Sequence, residues 1–100
     1  MNIVKTTPEF DEWFAGLKDL MTRQRLNVRL RKAMLGNLGD VKPVGNGIFE
    51  MREHFGPGWR IYYEKRGPVL IVMLGGGNKS TQEADIAKSV QIAATFEEQS

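Results

Sequence analysis

Ile48-Phe49-Glu50-Met51-Arg52-Glu53, His54-Phe55-Gly56-Pro57-Gly58, Trp59-Arg60-Ile61-Tyr62-Tyr63-Glu64: this run reads as two strands joined by a turn. Side chains alternate between the faces of a strand. With 54–58 as the loop, Glu53 faces Trp59, Arg52 faces Arg60 and Glu50 faces Tyr62. Like charges directly opposite cost roughly 0.2–1 kcal/mol, and removing either arginine is expected to relieve that cost. A fold does not need such a pair. An anion lying across both arginines would relieve the repulsion and exploit it.

Working outward, Glu64 to Pro68 is the next turn, and Val69 to Leu74 is apolar on both faces, as in an interior strand covered from both sides. Asp40 to Gly47 reads as a turn-rich connection into the hairpin. Upstream, Ile3-Val4 is a short strand. Thr7-Pro8 starts a helix, with threonine as the cap and proline in the first turn. Phe10, Trp13, Phe14 and Leu17 recur at helical spacing. Core packing explains these aromatics better than base stacking does. Asp19 caps a second helix that runs to about Asn37, with Leu26, Leu30, Ala33 and Met34 as its buried stripe. Gly36, Asn37 and Gly39 end it. Both helices are expected on one face of the sheet. Arg23, Arg25, Arg29, Arg31 and Lys32 lie along the second helix with few acids between them. They are either a solvated face or a surface for phosphates or an acidic partner.

Downstream, Gly75-Gly76-Gly77-Asn78-Lys79-Ser80 invites comparison with a phosphate loop. A P-loop needs glycine directly before the lysine and another earlier in the motif. Asn78 and Met73 hold those places, which argues against nucleotide hydrolysis. Ser80-Thr81-Gln82-Glu83 fits a capping box and sets Lys79 beside a helix N-terminus, a setting that favours anions. A plain strand-to-helix turn explains the same residues. The last helix carries Ile86, Val90 and Ala93 or Ala94 on one stripe, and Phe96 to Ser100 is expected to fray.

One hundred residues fit one domain. With 41% hydrophobic and 26% charged residues, a folded domain is expected rather than disorder. Without cysteine there are no disulfides, and with His54 as the lone histidine no metal or other cofactor is expected. Met1 to Lys5 lacks the apolar core of a signal peptide. Val69 to Leu74 falls far short of the roughly 20 residues that span a bilayer. A cytoplasmic protein without membrane contact is expected.

Several blocks together carry a family likeness: Gly39-Asp40-Val41-Lys42-Pro43, Gly45 to Gly47, Glu50-Met51-Arg52, Phe55-Gly56-Pro57-Gly58-Trp59-Arg60-Ile61-Tyr62-Tyr63, and Gly75 to Gln82 with Asp85-Ile86. The chain resembles the addiction-module killer proteins, a HigB-like branch of the RelE/ParE toxin superfamily, over nearly its whole length. The resemblance implies an α+β, RelE-like toxin domain over residues 1–100. Its expected layout is a short N-terminal strand, two helices, a central antiparallel three-stranded meander and a C-terminal helix. It implies a type II toxin–antitoxin system whose antitoxin is a helix-turn-helix, HigA-like protein. HigB- and RelE-like members cut mRNA on the ribosome and stop translation. ParE-like members poison DNA gyrase instead, and one fold carries both activities. A non-catalytic binding protein is the third reading.

For RNA cleavage the candidate catalytic residues are Arg52, Arg60, Tyr62, Lys79 and His54. The arginines offer paired donors to phosphate, and Lys79 adds charge. Tyr62 would stack on a base or pass a proton. His54 has the one unperturbed pKa near neutrality, although a loop histidine is often merely solvated. Glu50 is an alternative base, or a partner that orients an arginine. Arg23, Arg25, Arg29, Lys32 and Lys42 are the candidate nucleic-acid-binding residues. Some relatives implied by the resemblance carry a histidine, tyrosine or basic residue near the C-terminus. After Lys79 this chain has only Lys88 there, so the general acid and base stay open.

Overall fold

The computed structural model describes residues 1–96. The end of the segment expected to fray, residues 97–100, lies outside the described residues. In chain order the elements are β1 (Ile3–Thr6), α1 (Pro8–Ala15), α2 (Leu20–Met34), β2 (Val41–Gly45), β3 (Ile48–Arg52), β4 (Trp59–Lys65) and β5 (Leu70–Asn78). A single 3-10 turn (Lys79–Thr81) then leads into α3 (Gln82–Thr95). The class is α+β. The five strands form one mixed sheet in the order β1-β5-β4-β3-β2, with β1 parallel to β5 and every other pair antiparallel.

The sheet is therefore larger than the expected three-stranded meander. β1 joins it at one edge. The segment read as a turn-rich connection supplies β2 at the other. Pro43 and Gly45 disguise this strand, since both are poor strand formers. An edge position tolerates proline because its missing N–H can face solvent. Asn46 and Gly47 take φ of 54° and 76°, as a tight hairpin turn requires.

The β3–β4 register is the one read from the sequence: Arg52 pairs with Arg60 and Glu50 with Tyr62. Beyond the formal strand end, the Glu53 amide donates to the Trp59 carbonyl at 2.9 Å.

Helix starts follow their capping residues. Thr7 Oγ1 accepts from the Phe10 amide at 3.1 Å and also lies within bonding distance of the Met73 and Leu74 carbonyls. One buried hydroxyl thus ends β1, starts α1 and covers the edge of β5. Asp19 accepts from the Thr22 amide and hydroxyl at 3.3 and 2.7 Å, and these bonds hold its carboxyl below its usual pKa. α2 stops at Met34 rather than Asn37, because the left-handed Gly36 follows within two residues (φ 98°). Met34 itself is half-exposed and does not join the buried stripe. The expected Ser80–Glu83 capping box is also displaced. Asn78 accepts from the Ser80 amide at 2.9 Å, Thr81 closes the box, and α3 begins at Gln82.

Two cores sandwich the sheet. On one face Phe10 of α1 and Leu26 and Ala33 of α2 pack on Met51, Ile61, Tyr63, Ile71 and Met73. On the other, Ile86, Val90, Ile92 and Ala93 of α3 pack on Ile48, Tyr62, Val72 and Leu74. β5 feeds both, which explains its unbroken apolar run. Its glycines serve close packing rather than a loop: the Trp13 ring lies on the Gly76 backbone, and Asp85 lies on Gly77. A β-carbon at either position would overlap those side chains. Among the described residues, no helix is long and apolar enough to cross a membrane.

Candidate functional site

The α3 core covers only part of its face of the sheet. Strand alternation puts Lys42, Glu50, Arg52, Arg60 and Tyr62 on that same face, since Lys42 pairs with Glu50 and Arg52 with Arg60. Their exposure divides them into a surface and a foundation. Lys42 is exposed and Arg52 half-buried, whereas Arg60 is 6% exposed and Glu50 and Tyr62 are fully buried.

Glu50 is the centre of the foundation. Its Oε2 accepts from Gln82 Nε2 of α3 at 2.7 Å, and its Oε1 lies 3.6 Å from Arg60 Nε. The Arg60 Nη1 also donates to the Trp59 and Glu53 carbonyls at 3.1 and 3.3 Å. A buried carboxylate needs this kind of compensation. Burial first, and then the Glu50 charge, push the Tyr62 phenol above its ordinary pKa. The Tyr62 placement revises the sequence reading, and that of Glu50 fits the second of its two expected roles, the partner of an arginine. Tyr62 has no exposed ring for a base to stack on, and Glu50 has no route to solvent as a base.

Lys79 reaches the site through Gly58. A β-carbon on Gly58 would lie 3.3 Å from Lys79 Cβ and 3.6 Å from Arg60 Nη1. Gly58 also takes φ of 81°, a conformation glycine adopts readily. The glycine of the Gly-Pro-Gly turn thus lies against both the base of the Lys79 side chain and the Arg60 guanidinium.

Arg52 takes a different partner. Its Nη2 lies 3.3 Å from Asp40 Oδ1, and His54 Nε2 lies 2.7 Å from Asp40 Oδ2. The His54 contact first, then Arg52, hold the Asp40 carboxyl below its usual pKa. Asp40 therefore gathers Arg52 and the exposed His54 at the entrance to β2. Sequence reasoning had no role for Asp40 or Gln82. Both sit in the family-like blocks, which was the available signal, but their partners are 12 to 32 residues away in sequence.

The other basic residues do not belong to this surface. α2 packs on the opposite face of the sheet. Arg29, read as a nucleic-acid contact, points inward and is 9% exposed. It donates to the Leu38, Asp40 and Arg52 carbonyls and pairs with Glu53 at 2.6 Å. It clamps the α2–β2 connection to the end of β3. Arg25 lies over the Phe55 ring, 4.6 Å from its centroid. With Val28, Arg29, Lys32, Glu53 and Phe55 it lines a groove of about 280 Å³. Arg23 is half-buried, and Arg31 and Lys32 are exposed. Only Lys42, of the residues proposed to bind nucleic acid, shares the face of Arg52 and Arg60.

Fold and site define a small α+β protein with a cationic sheet face built on a buried carboxylate. The chain is 42% identical over 90 residues to an uncharacterized protein of Haemophilus influenzae, spanning 90% of this chain and 91% of that one. It belongs to the family of that Haemophilus protein. No family model matches the chain.

Proposed function

We propose that this protein is the toxin of a type II toxin–antitoxin system, a RelE-like, HigB-like endoribonuclease that cuts mRNA on the ribosome. The family-like blocks quoted above motivate the reading. One observation carries it: Lys42, Arg52 and Arg60 share one face of the sheet, Gly58 lies against both Arg60 and the base of the Lys79 side chain, and Glu50 lies 3.6 Å from Arg60 beneath. Such a face suits the backbone of a single RNA strand.

In this reading a ribose 2′-oxygen attacks the adjacent phosphorus as its proton passes to a base, the P–O5′ bond breaks, and the departing 5′-oxygen takes a proton, leaving a 2′,3′-cyclic phosphate and a 5′-hydroxyl. Arg52 binds the non-bridging oxygens, and Arg60, 6% exposed, adds its charge to them from beneath. Lys79 adds a further cation. His54 is the group for proton transfer, held through Nε2 by Asp40 with its other nitrogen left for the substrate. Tyr62, fully buried, takes no part in stacking. A HigA-like antitoxin would suppress the activity until it is needed.

The test is short induction in bacterial cells, followed by sequencing of mRNA 5′ ends. Growth arrest with new ends inside codons supports the reading. Arrest with intact transcripts and relaxed or broken chromosomal DNA would assign the protein to the gyrase-poison class instead. Normal growth at a verified level of folded protein would remove the toxin reading altogether.

A further inference from the structure

We infer that Glu50 and Gln82 are positioning residues for Arg60, so that the first turn of α3 sets the pose of the arginine at the site. The inference rests on the nuclease reading for its consequence, but not for its geometry. Glu50 is wholly enclosed, which leaves it no contact with a substrate. Its two oxygens point to different elements. One accepts from Gln82 at 2.7 Å, and the other faces Arg60 Nε at 3.6 Å.

The second contact is longer than a hydrogen bond, and Arg60 Nε has no hydrogen-bond partner among the described residues. Charge, rather than a directed bond, therefore holds that side of the guanidinium. The carbonyls of Glu53 and Trp59 engage Nη1. Arg60 is thus restrained from two sides, with its Nη1 and Nη2 packed against Gly58. Lys79 is three residues from Gln82 in the turn that opens α3. The turn that opens α3 therefore supplies the lysine, and the first residue of α3 steers the arginine through Glu50. An ion held by its own counter-charge is fixed before substrate arrives, and such preorganisation favours transition-state binding.

The experiment combines arginine Nε–H NMR with cleavage of an mRNA in a translating extract. The Arg60 signal is assigned by its loss in Arg60→Lys. In Glu50→Gln we expect that signal to move or broaden while the other arginine signals stay. Cleavage should fall at least tenfold, and Glu50→Asp should recover part of it. In the Arg60→Lys background, Glu50→Gln should cost no further activity, because residues acting through one group are non-additive. Gln82→Ala, which leaves the buried carboxylate in place, should shift the same signal and carries the test should Glu50→Gln not fold. An unmoved Arg60 signal in both variants overturns the inference. So does an equal loss of cleavage with and without the arginine. A wild-type protein that cleaves no RNA overturns the nuclease reading alone, since the NMR signal still decides the positioning.

Discussion

Arg52 and Arg60 face each other across β3 and β4, yet each guanidinium leans on its own carboxylate: Arg52 on Asp40 at 3.3 Å, Arg60 on Glu50 at 3.6 Å. The repulsion read from their register is offset by one acid from β3 itself, Glu50, and one from the connection before β2, Asp40. The two pairs also differ in setting. The first is substantially open to solvent and the second is enclosed. Relief on removing either arginine, expected from register alone, is therefore replaced by an asymmetry. Arg52→Ala should change stability by no more than about 1 kcal/mol. Arg60→Ala leaves Glu50 buried without its cation and should cost about 3–5 kcal/mol. Urea unfolding of the two variants checks this. Equal effects would mean that Glu50 is not held by Arg60. On the nuclease reading both variants lose cleavage, and lysine rescues poorly because it lacks the planar fork.

Arg29 separates a structural arginine from the surface ones. Its guanidinium serves three backbone carbonyls and Glu53 from inside the protein. Arg29→Ala should destabilise by about 3 kcal/mol or more, because it strands those acceptors. The exposed Lys32→Ala should stay within about 0.5 kcal/mol of wild type. Comparable unfolding midpoints for the two would refute the clamp.

Alkaline stability should depend on the two buried tyrosines. Burial pushes both Tyr62 and Tyr63 above the ordinary phenol value of 10.0, and the Glu50 charge adds to the effect at Tyr62. The folded state then keeps protons that the unfolded state releases. Stability is fully present below pH 10 and declines as pH rises past it. The Tyr63 hydroxyl has no hydrogen-bond partner among the described residues, so phenylalanine there should cost little at neutral pH, whereas Tyr62 interacts with Glu50 and its replacement should cost more. Unfolding free energies measured from about pH 8 to 11 should fall for the wild type and flatten in the double Tyr→Phe variant.

The outer face of α2 offers a separate surface for a partner. Arg25, Arg31 and Lys32 are exposed, and no acid lies within Leu20–Met34. If the toxin reading holds, an acidic antitoxin segment docking there should associate faster at low salt, since screening weakens charge steering. Arg25→Glu with Lys32→Glu should slow association without affecting RNA cleavage. Stopped-flow rates that ignore both salt and these substitutions would move the interface elsewhere.

The glycine run offers a test of packing. Gly76→Ala pushes a methyl group into the Trp13 ring, which packs edge-on against Trp59 with centroids 6.3 Å apart. Overpacking of this kind should cost about 1–3 kcal/mol. Trp13→Leu in the same chain should recover part of the loss by making room. A thermally unchanged Gly76→Ala protein would show that the contact is slack.

Local chemistry is enough to place much of this molecule. Thr7-Pro8 and Asp19 mark helix starts because a capping side chain bonds to an amide three residues on. Alternation around a five-residue turn sets Arg52 against Arg60 and Glu50 against Tyr62. These features depend on near neighbours, and near neighbours can be read from a chain. β2 escaped because an edge strand tolerates the proline and glycine that would break an interior one. The partners of the site escaped for a different reason. Whether Glu50 is a base or a buried anchor depends on Gln82 and Arg60, and the use of Arg52 depends on Asp40. Tyr62 sits on the anticipated face, but α3 closes over it. Burial and ion pairing between distant segments come from the way layers stack, and only the assembled sheet and helices set them.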